Sequence, residues 1–360
     1  MTGDGCTHVG CRRGSLDLPS NSGFLWKAWC ESGAMVILRE GLCPGLSADM
    51  IRSLKMNNVK TVVDLVASDL EELARKCSLS YKSLVAVRRV LLARYSAFPT
   101  NAADLYEELK GSTAILPTGS NRLDFLLDSG LYTGEVTEIA GPTASGKTQM
   151  CSSIAVNVAY SLRQRVLYID TTGGVTASRL LQLLQSQTEQ EAEQVASLQR
   201  IEVVHVFDIY KLFDLLQDLR RNISQQLLKS GEPLRLVIID SACAVLYPLL
   251  GGKQTEGMAA MMHLAHELQM LAHDFSLAVL ITNFVTKEGS DEVRPAMGRS
   301  WSFVPRTRIL LERCDSEMES ERRVVSLAKS PRQPTNLQVQ VQIGCQGTLD
   351  ENKVVTESPA

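Results

Sequence analysis

Between residues 141 and 148 the chain reads GPTASGKT, with Gly141, Gly146, Lys147 and Thr148 at the spacing G-x-x-x-x-G-K-[ST]. Each of these residue types has a task in holding phosphate. Glycines let successive backbone N–H groups wrap an anion, the lysine neutralises its charge, and the hydroxyl ligates Mg²⁺. Pro142, Thr143, Ala144 and Ser145 complete the loop. The motif follows an apolar strand-like run, GEVTEIA, and precedes a helical run, which is the context the pattern requires. A Mg²⁺ that bridges terminal phosphates also needs a carboxylate at the end of a neighbouring buried strand. LVIID, closing on Asp240, supplies one. A cap on the following helix is the plainer reading of Asp240, but beside the loop the metal role is favoured, so the expected ligands are ATP and Mg²⁺.

Hydrolysis asks for one group more, a carboxylate or its equivalent that orients the attacking water in line with the γ-phosphate. A glutamate directly after the metal aspartate would serve. Position 241 is serine.

The elements around the loop alternate. RVLYID, IEVVHV, LRLVIID and LAVLIT read as strands separated by helices, and this predicts a mostly parallel sheet covered on both faces. TRILLER, RRVVSLAK and LQVQVQIG follow at short spacing and predict antiparallel additions to one edge. Ahead of this α/β core, SADMIRSLKMNN, TVVDLVA, SDLEELARKC and SYKSLVAVRRVLLARY each open near Ser, Thr or Asp as an N-cap. They predict a small all-helical domain with nine basic side chains against five acidic ones, a surplus that suits a solvated face better than a binding face. The expected divisions are a mobile extension over 1–40, the helical domain over 41–95, a linker over 96–115, the ATPase core over 116–345 and a loose tail over 346–360.

The 360 residues carry 37 basic and 40 acidic side chains, a formal charge of −3, so no global field points to nucleic acid or membrane. Nine unpaired-looking cysteines fit a reducing interior. Cys6, His8, Cys11 and Cys30 match no strong zinc spacing. No apolar run reaches the ~18 residues that a membrane helix needs, and a soluble intracellular protein is expected. Any contact with DNA must be local. Two segments after sheet strands have the mobility and scattered cations that suit single-stranded DNA: 247–257 with Lys253, and 287–301 with Lys287, Arg294 and Arg299. Glu256, Glu288, Asp291 and Glu292 weaken that field.

The order YIDTTG, LVIIDSACAV, HLAHELQMLA and LAVLITNFVT, with the helical domain before it, resembles the RecA-type strand-exchange recombinases of eukaryotes and archaea over about residues 41–345. GLCPGL, DLYEEL, TASRLLQLLQ, GRSWSFVP and LAKSPRQPT are similar to one paralog branch of that family. The resemblance implies a RecA-type P-loop ATPase core, a nuclear location and work in homologous recombination. The family keeps its water-orienting glutamate where this chain has Thr172, and a glutamine that couples γ-phosphate to DNA where it has Phe284. A threonine hydroxyl cannot take a proton from water at neutral pH, so at most weak DNA-stimulated ATPase activity is expected. Lys329 and Arg332 are candidates to reach a phosphate across a family-type interface. Polymerisation in the family uses a linker Phe-x-x-Ala, and Phe98 and Ala102 are its nearest match here. The resemblance further implies sibling partners: the C-type paralog through the helical domain and linker, and the short paralog lacking a helical domain through the ATPase domain. The leading expectation is an ATP-binding assistant that loads or stabilises the main recombinase on single-stranded DNA. The alternatives are a strand-exchange ATPase with its own filament and a metabolic P-loop kinase, though no lid or acceptor site supports the kinase.

Overall fold

In the computed structural model the described residues are 38–40, 42–95, 101–226, 232–250, 254–287, 293–314, 321–335 and 337–350. They fall into two units that divide between Pro99 and Thr100.

The first unit is all-helical: α1 (Ala48–Met56), α2 (Val62–Ala67), α3 (Leu70–Cys77) and α4 (Tyr81–Tyr95). Its starts are those the sequence marks. Ser47 caps α1, Thr61 and Asp64 form a reciprocal capping box on α2, and Asp69 caps α3. Leu54, Leu65, Leu84 and Leu91 are fully buried and form its core together with Leu38. The N–H of Leu38 also bonds to the carbonyl of Lys60. The helical unit therefore begins before residue 41, earlier than expected.

The second unit opens with α5 (Ala102–Ser112), a helix with no buried residue lying inside the expected linker, followed by β1 (Ile115–Leu116), α6 (Asn121–Leu126) and β2 (Leu131–Tyr132). Ala102 is exposed at the start of α5, while Phe98 lies outside the described residues. The core then runs β3 (Val136–Ala140), α7 (Lys147–Tyr160), β4 (Arg165–Asp170), α8 (Ala177–Gln185), α9 (Glu191–Gln199), β5 (Ile201–His205), α10 (Ile209–Gln226), β6 (Leu234–Asp240), α11 (Ala242–Leu250), α12 (Gln254–Phe275) and β7 (Ala278–Asn283). A short hairpin, β8 (Val285–Lys287) with β9 (Val293–Pro295), and the one-turn helix α13 (Gly298–Trp301) precede β10 (Thr307–Arg313), β11 (Arg322–Lys329), β12 (Gln338–Gly344) and β13 (Gly347–Asp350).

The main sheet has nine strands in the order β13-β12-β11-β10-β3-β7-β6-β4-β5, parallel from β10 to β5 and antiparallel from β10 to β13. Alternation along the strands splits the core in two. Val166, Tyr168 and Ile238 pack with α7, α8 and α9 on one face, whereas Leu167, Ile169 and Ile239 pack with α10, α11 and α12 on the other. Residues 347–350, expected to be loose, are instead the edge strand, and the Asp350 carboxylate caps α6 by accepting the N–H groups of Asn121 (2.8 Å) and Arg122 (3.2 Å). The expected loop at 247–257 is mostly helical, because α11 reaches Leu250 and α12 begins at Gln254. Among the described residues no helix is long and apolar enough to cross a membrane.

Candidate functional site

The sheet register brings four strand ends to one line. Ala140 pairs with Asn283, and Asp170 with Asp240, so the carboxyl ends of β3, β7, β6 and β4 share one edge. Ligands of open parallel sheets gather at this edge. A cleft of about 760 Å³ opens there, lined by Thr143, Lys147, Thr148, Asp240, Thr172 and Phe284 among others.

The loop between β3 and α7 is built as the motif demands. Gly146 has φ of 108°, and a Cβ there would lie 2.7 Å from Ile343 Cδ1. At Gly141 a Cβ would meet the Leu311 carbonyl oxygen at 2.4 Å, so neither position admits a side chain. No side chain caps the N-terminus of α7, the arrangement that an anion site at a helix start calls for. The Lys147 ammonium donates to the carbonyls of Gly141 (2.9 Å) and Pro142 (2.8 Å) and lies 4.8 Å from the Phe284 ring centroid. Burial pulls its pKa below the ordinary lysine value, with the charge of Asp240 acting the other way.

Asp240 is buried at the end of β6 and oriented from two sides. Its carboxylate accepts from the Thr282 hydroxyl at 2.6 Å and the Tyr168 hydroxyl at 3.1 Å. Thr148 and Asp240 line the same cleft, a donor set of one hydroxyl and one carboxylate that fits Mg²⁺ completed by phosphates and water. Among the described residues no group of three His, Cys, Asp or Glu side chains could cage a metal by itself.

Beside Asp240 on the neighbouring strand lies Asp170, wholly buried at the end of β4. It accepts the backbone N–H groups of Thr172, Gly173, Gly174 and Val175 and also the Thr172 hydroxyl, at 3.2 Å. Burial pulls the carboxyl upward, but those backbone donors outweigh it and hold the pKa below the ordinary aspartate value. The Thr172 hydroxyl is thus spent on Asp170.

Three further charged residues, Arg179, Glu321 and Arg323, line the cleft. Arg179 donates to Gln149 Oε1 (2.7 Å), Gln182 Oε1 (2.7 Å) and the carbonyls of Gly344 (2.6 Å) and Cys345 (2.7 Å), tying α8 to α7 and β12. Arg323 reaches from β11 to the Ser145 carbonyl at 2.8 Å, and Glu321 lines the wall beside it. Arg323 had a legible signal, because Arg323, Val325 and Leu327 share one face of β11 and the arginine is the buried polar member of an apolar row. Arg179 had none, since apart from Gln182 its partners come from segments far away in sequence.

Lys329 and Arg332 do not join this cleft. Lys329 donates to the carbonyls of Ser302 (2.9 Å) and Pro305 (2.7 Å). Arg332 makes a bidentate pair with Glu135 at 2.8 and 2.9 Å, and its guanidinium carbon lies 3.5 Å from the Tyr132 ring centroid. Both cations, expected to reach a phosphate across an interface, are occupied within their own chain. Of the cations expected at DNA, Lys287 and Arg294 fall on paired strands of the β8–β9 hairpin and Arg299 is exposed in α13, whereas Lys253 lies outside the described residues. Cys6, His8, Cys11 and Cys30 lie outside them as well.

Comparison with known proteins adds the kinship. Residues 110–351 match the family model described as Rad51, and residues 35–94 match one described as RAD51D, N-terminal domain. The chain is 59% identical over 316 residues to the DNA repair protein RAD51 homolog 4 of Bos taurus, covering 87% of this chain and 97% of that protein. Identity to the mouse protein of the same name is 57%, over 88% of this chain and 98% of the relative. A Dictyostelium discoideum protein, named as a probable DNA repair protein RAD51 homolog 4, is 27% identical over 78% of this chain and 89% of its own length.

Proposed function

This chain is a member of the Rad51 family, and from that membership and the cleft we propose that it is an ATP-binding recombinase paralog that assists homologous recombination repair in the nucleus. It binds single-stranded DNA and sibling paralogs and helps to load or stabilise the main recombinase filament. One observation carries the reading: the phosphate-holding half of the cleft is complete, while the position for a water-orienting carboxylate holds a threonine whose hydroxyl is bonded to Asp170.

ATP supplies anionic phosphates that the N–H groups at the start of α7 and the Lys147 ammonium are placed to bind. The Thr148 hydroxyl and the Asp240 carboxylate would hold Mg²⁺, and Tyr168 and Thr282 keep that carboxylate oriented. A ligand that binds one assembly state better than another shifts the equilibrium without any chemical step. Nucleotide here is a structural effector first. The siblings are the C-type paralog at the helical domain with its linker, and the short paralog at the ATPase domain. The outer edge of β5, beside exposed Phe207 and Tyr210, supports docking by strand addition to the ATPase domain.

The test is assembly with and without hydrolysis. Full-length protein is mixed with both siblings and a single-stranded oligonucleotide in the presence of Mg-ATP, a non-hydrolysable analogue or no nucleotide. The reading predicts that the analogue supports co-purification and strand retention as well as ATP does. A requirement for hydrolysis, or a homofilament formed by this chain alone, contradicts it.

A further inference from the structure

The β12–β13 hairpin has one end at the nucleotide cleft and the other on α6. Val341 pairs with Asp350 and Gly344 with Gly347, so the chain turns at Cys345 and Gln346. Ile343, Gly344 and Cys345, beside that turn, line the cleft. They wall a stretch of it that the phosphate groups Lys147, Thr148 and Asp240 do not supply.

The turn is gripped from α7 and α8. Arg179 donates to the carbonyls of Gly344 and Cys345, and the Thr348 N–H donates to the Ser153 hydroxyl at 3.1 Å. At Gly347, with φ of 99°, a Cβ would lie 2.8 Å from the same hydroxyl, so the edge strand rests directly on α7. The base is gripped from α6. There the Asp350 carboxylate accepts the Ser120 hydroxyl together with the N–H groups of Asn121 and Arg122. Ser120 is buried and itself caps α6 by accepting the Leu123 N–H at 3.3 Å, and the Arg122 guanidinium returns to β12 by donating to the Gln340 carbonyl at 2.6 Å. One carboxylate therefore joins the last residue of the sheet edge to a segment about 230 residues earlier. β13 has only four residues and pairs on one side, so its ladder holds it weakly and its ends set its position. Bonds to an ionised acceptor are the strong ones, and three of them meet at Asp350.

We propose that Asp350 is a positioning residue for nucleotide binding: its carboxylate pins the base of the β12–β13 hairpin to α6 and so fixes where the turn stands as a wall of the cleft. The inference rests on the ATP reading of the cleft and names a residue outside the phosphate motif on which that affinity depends. Asp350 is not among the lining residues and acts through Ile343, Gly344 and Cys345.

The test compares calorimetric binding of Mg-ATP and of Mg-tripolyphosphate, which carries the phosphates alone, by the full-length chain, with hydrogen exchange on the same samples. Asp350→Ala should bind Mg-ATP roughly fivefold more weakly than the wild type, with tripolyphosphate affinity changed by less than about twofold. Exchange over residues 341–349 should quicken in the variant while residues 141–148 keep the wild-type rate. Asp350→Asn keeps one acceptor oxygen and should fall between the two, which provides the same comparison if the alanine variant does not fold. Unchanged affinity for Mg-ATP in both variants, an equal loss for both ligands, or unchanged exchange over the hairpin overturns this inference alone. Binding of neither ligand by the wild type overturns it together with the ATP reading.

Discussion

The two walls of the cleft differ in how their polar groups are spent. On the wall formed by β3, α7 and β6, Lys147, Thr148 and Asp240 converge on open space, and the groups that hold them are neighbours a ligand can displace or supplement. On the wall at the end of β4, the polar groups are turned on one another: Asp170 gathers four backbone N–H groups and the Thr172 hydroxyl into a closed turn. Phe284 adds an apolar ring to the same cleft, 4.8 Å from the Lys147 ammonium. A site can therefore keep its affinity for a nucleotide while giving up the chemistry, because the two tasks lie on different strands and are lost separately.

The largest effect should come from breaking the binding wall. Lys147→Ala removes charge-assisted bonds to phosphate and should weaken Mg-ATP binding by about 100-fold or more, measured by calorimetry. Equal binding by the variant would place the nucleotide elsewhere. A smaller effect is expected on the opposite wall, where Asp170→Ala leaves four backbone donors without their acceptor. Stability should fall by about 2–3 kcal/mol in chemical denaturation, with no gain in turnover. The pH dependence has a definite sign. The folded pKa of Asp170 is held below the ordinary value of 3.8, so its stabilisation is full above that value and is lost as pH falls through the lower, folded one. In Asp170→Ala that part of the acid sensitivity should be absent.

Much of this architecture is legible in the chain itself. Strand runs such as LVIID carry their own burial, and the loop motif fixes the turn, the helix start and the lysine together, which is why β3, α7 and β6 lie where the spacing places them. The less legible features have physical reasons. Lys329 and Arg332 are singled out for reaching a phosphate across an interface, and a linear sequence does not reveal that within one chain carbonyls at 302 and 305, and a carboxylate at 135, fold back to meet them. The strand at 347–350 is hidden by polar residues, since an edge strand needs only one apolar side and Asp350 is there to cap α6. The cation–π contact at Phe284 is equally invisible, because it joins the residue after β7 to the first residue of α7, which only the pairing of β3 with β7 brings together.

The central claim, that the cleft binds ATP without turning it over at an enzyme's ordinary pace, is tested most directly by measuring bound nucleotide and released phosphate in the same sample, with single-stranded DNA present. Wild-type protein and Thr172→Ala should bind Mg-ATP equally and release phosphate at the same slow rate, far below about one per second. The hydroxyl is already committed to Asp170, so its loss should change turnover by less than about twofold. Turnover at or above about one per second by highly purified protein, or a clear fall on removing the Thr172 hydroxyl, would contradict the account.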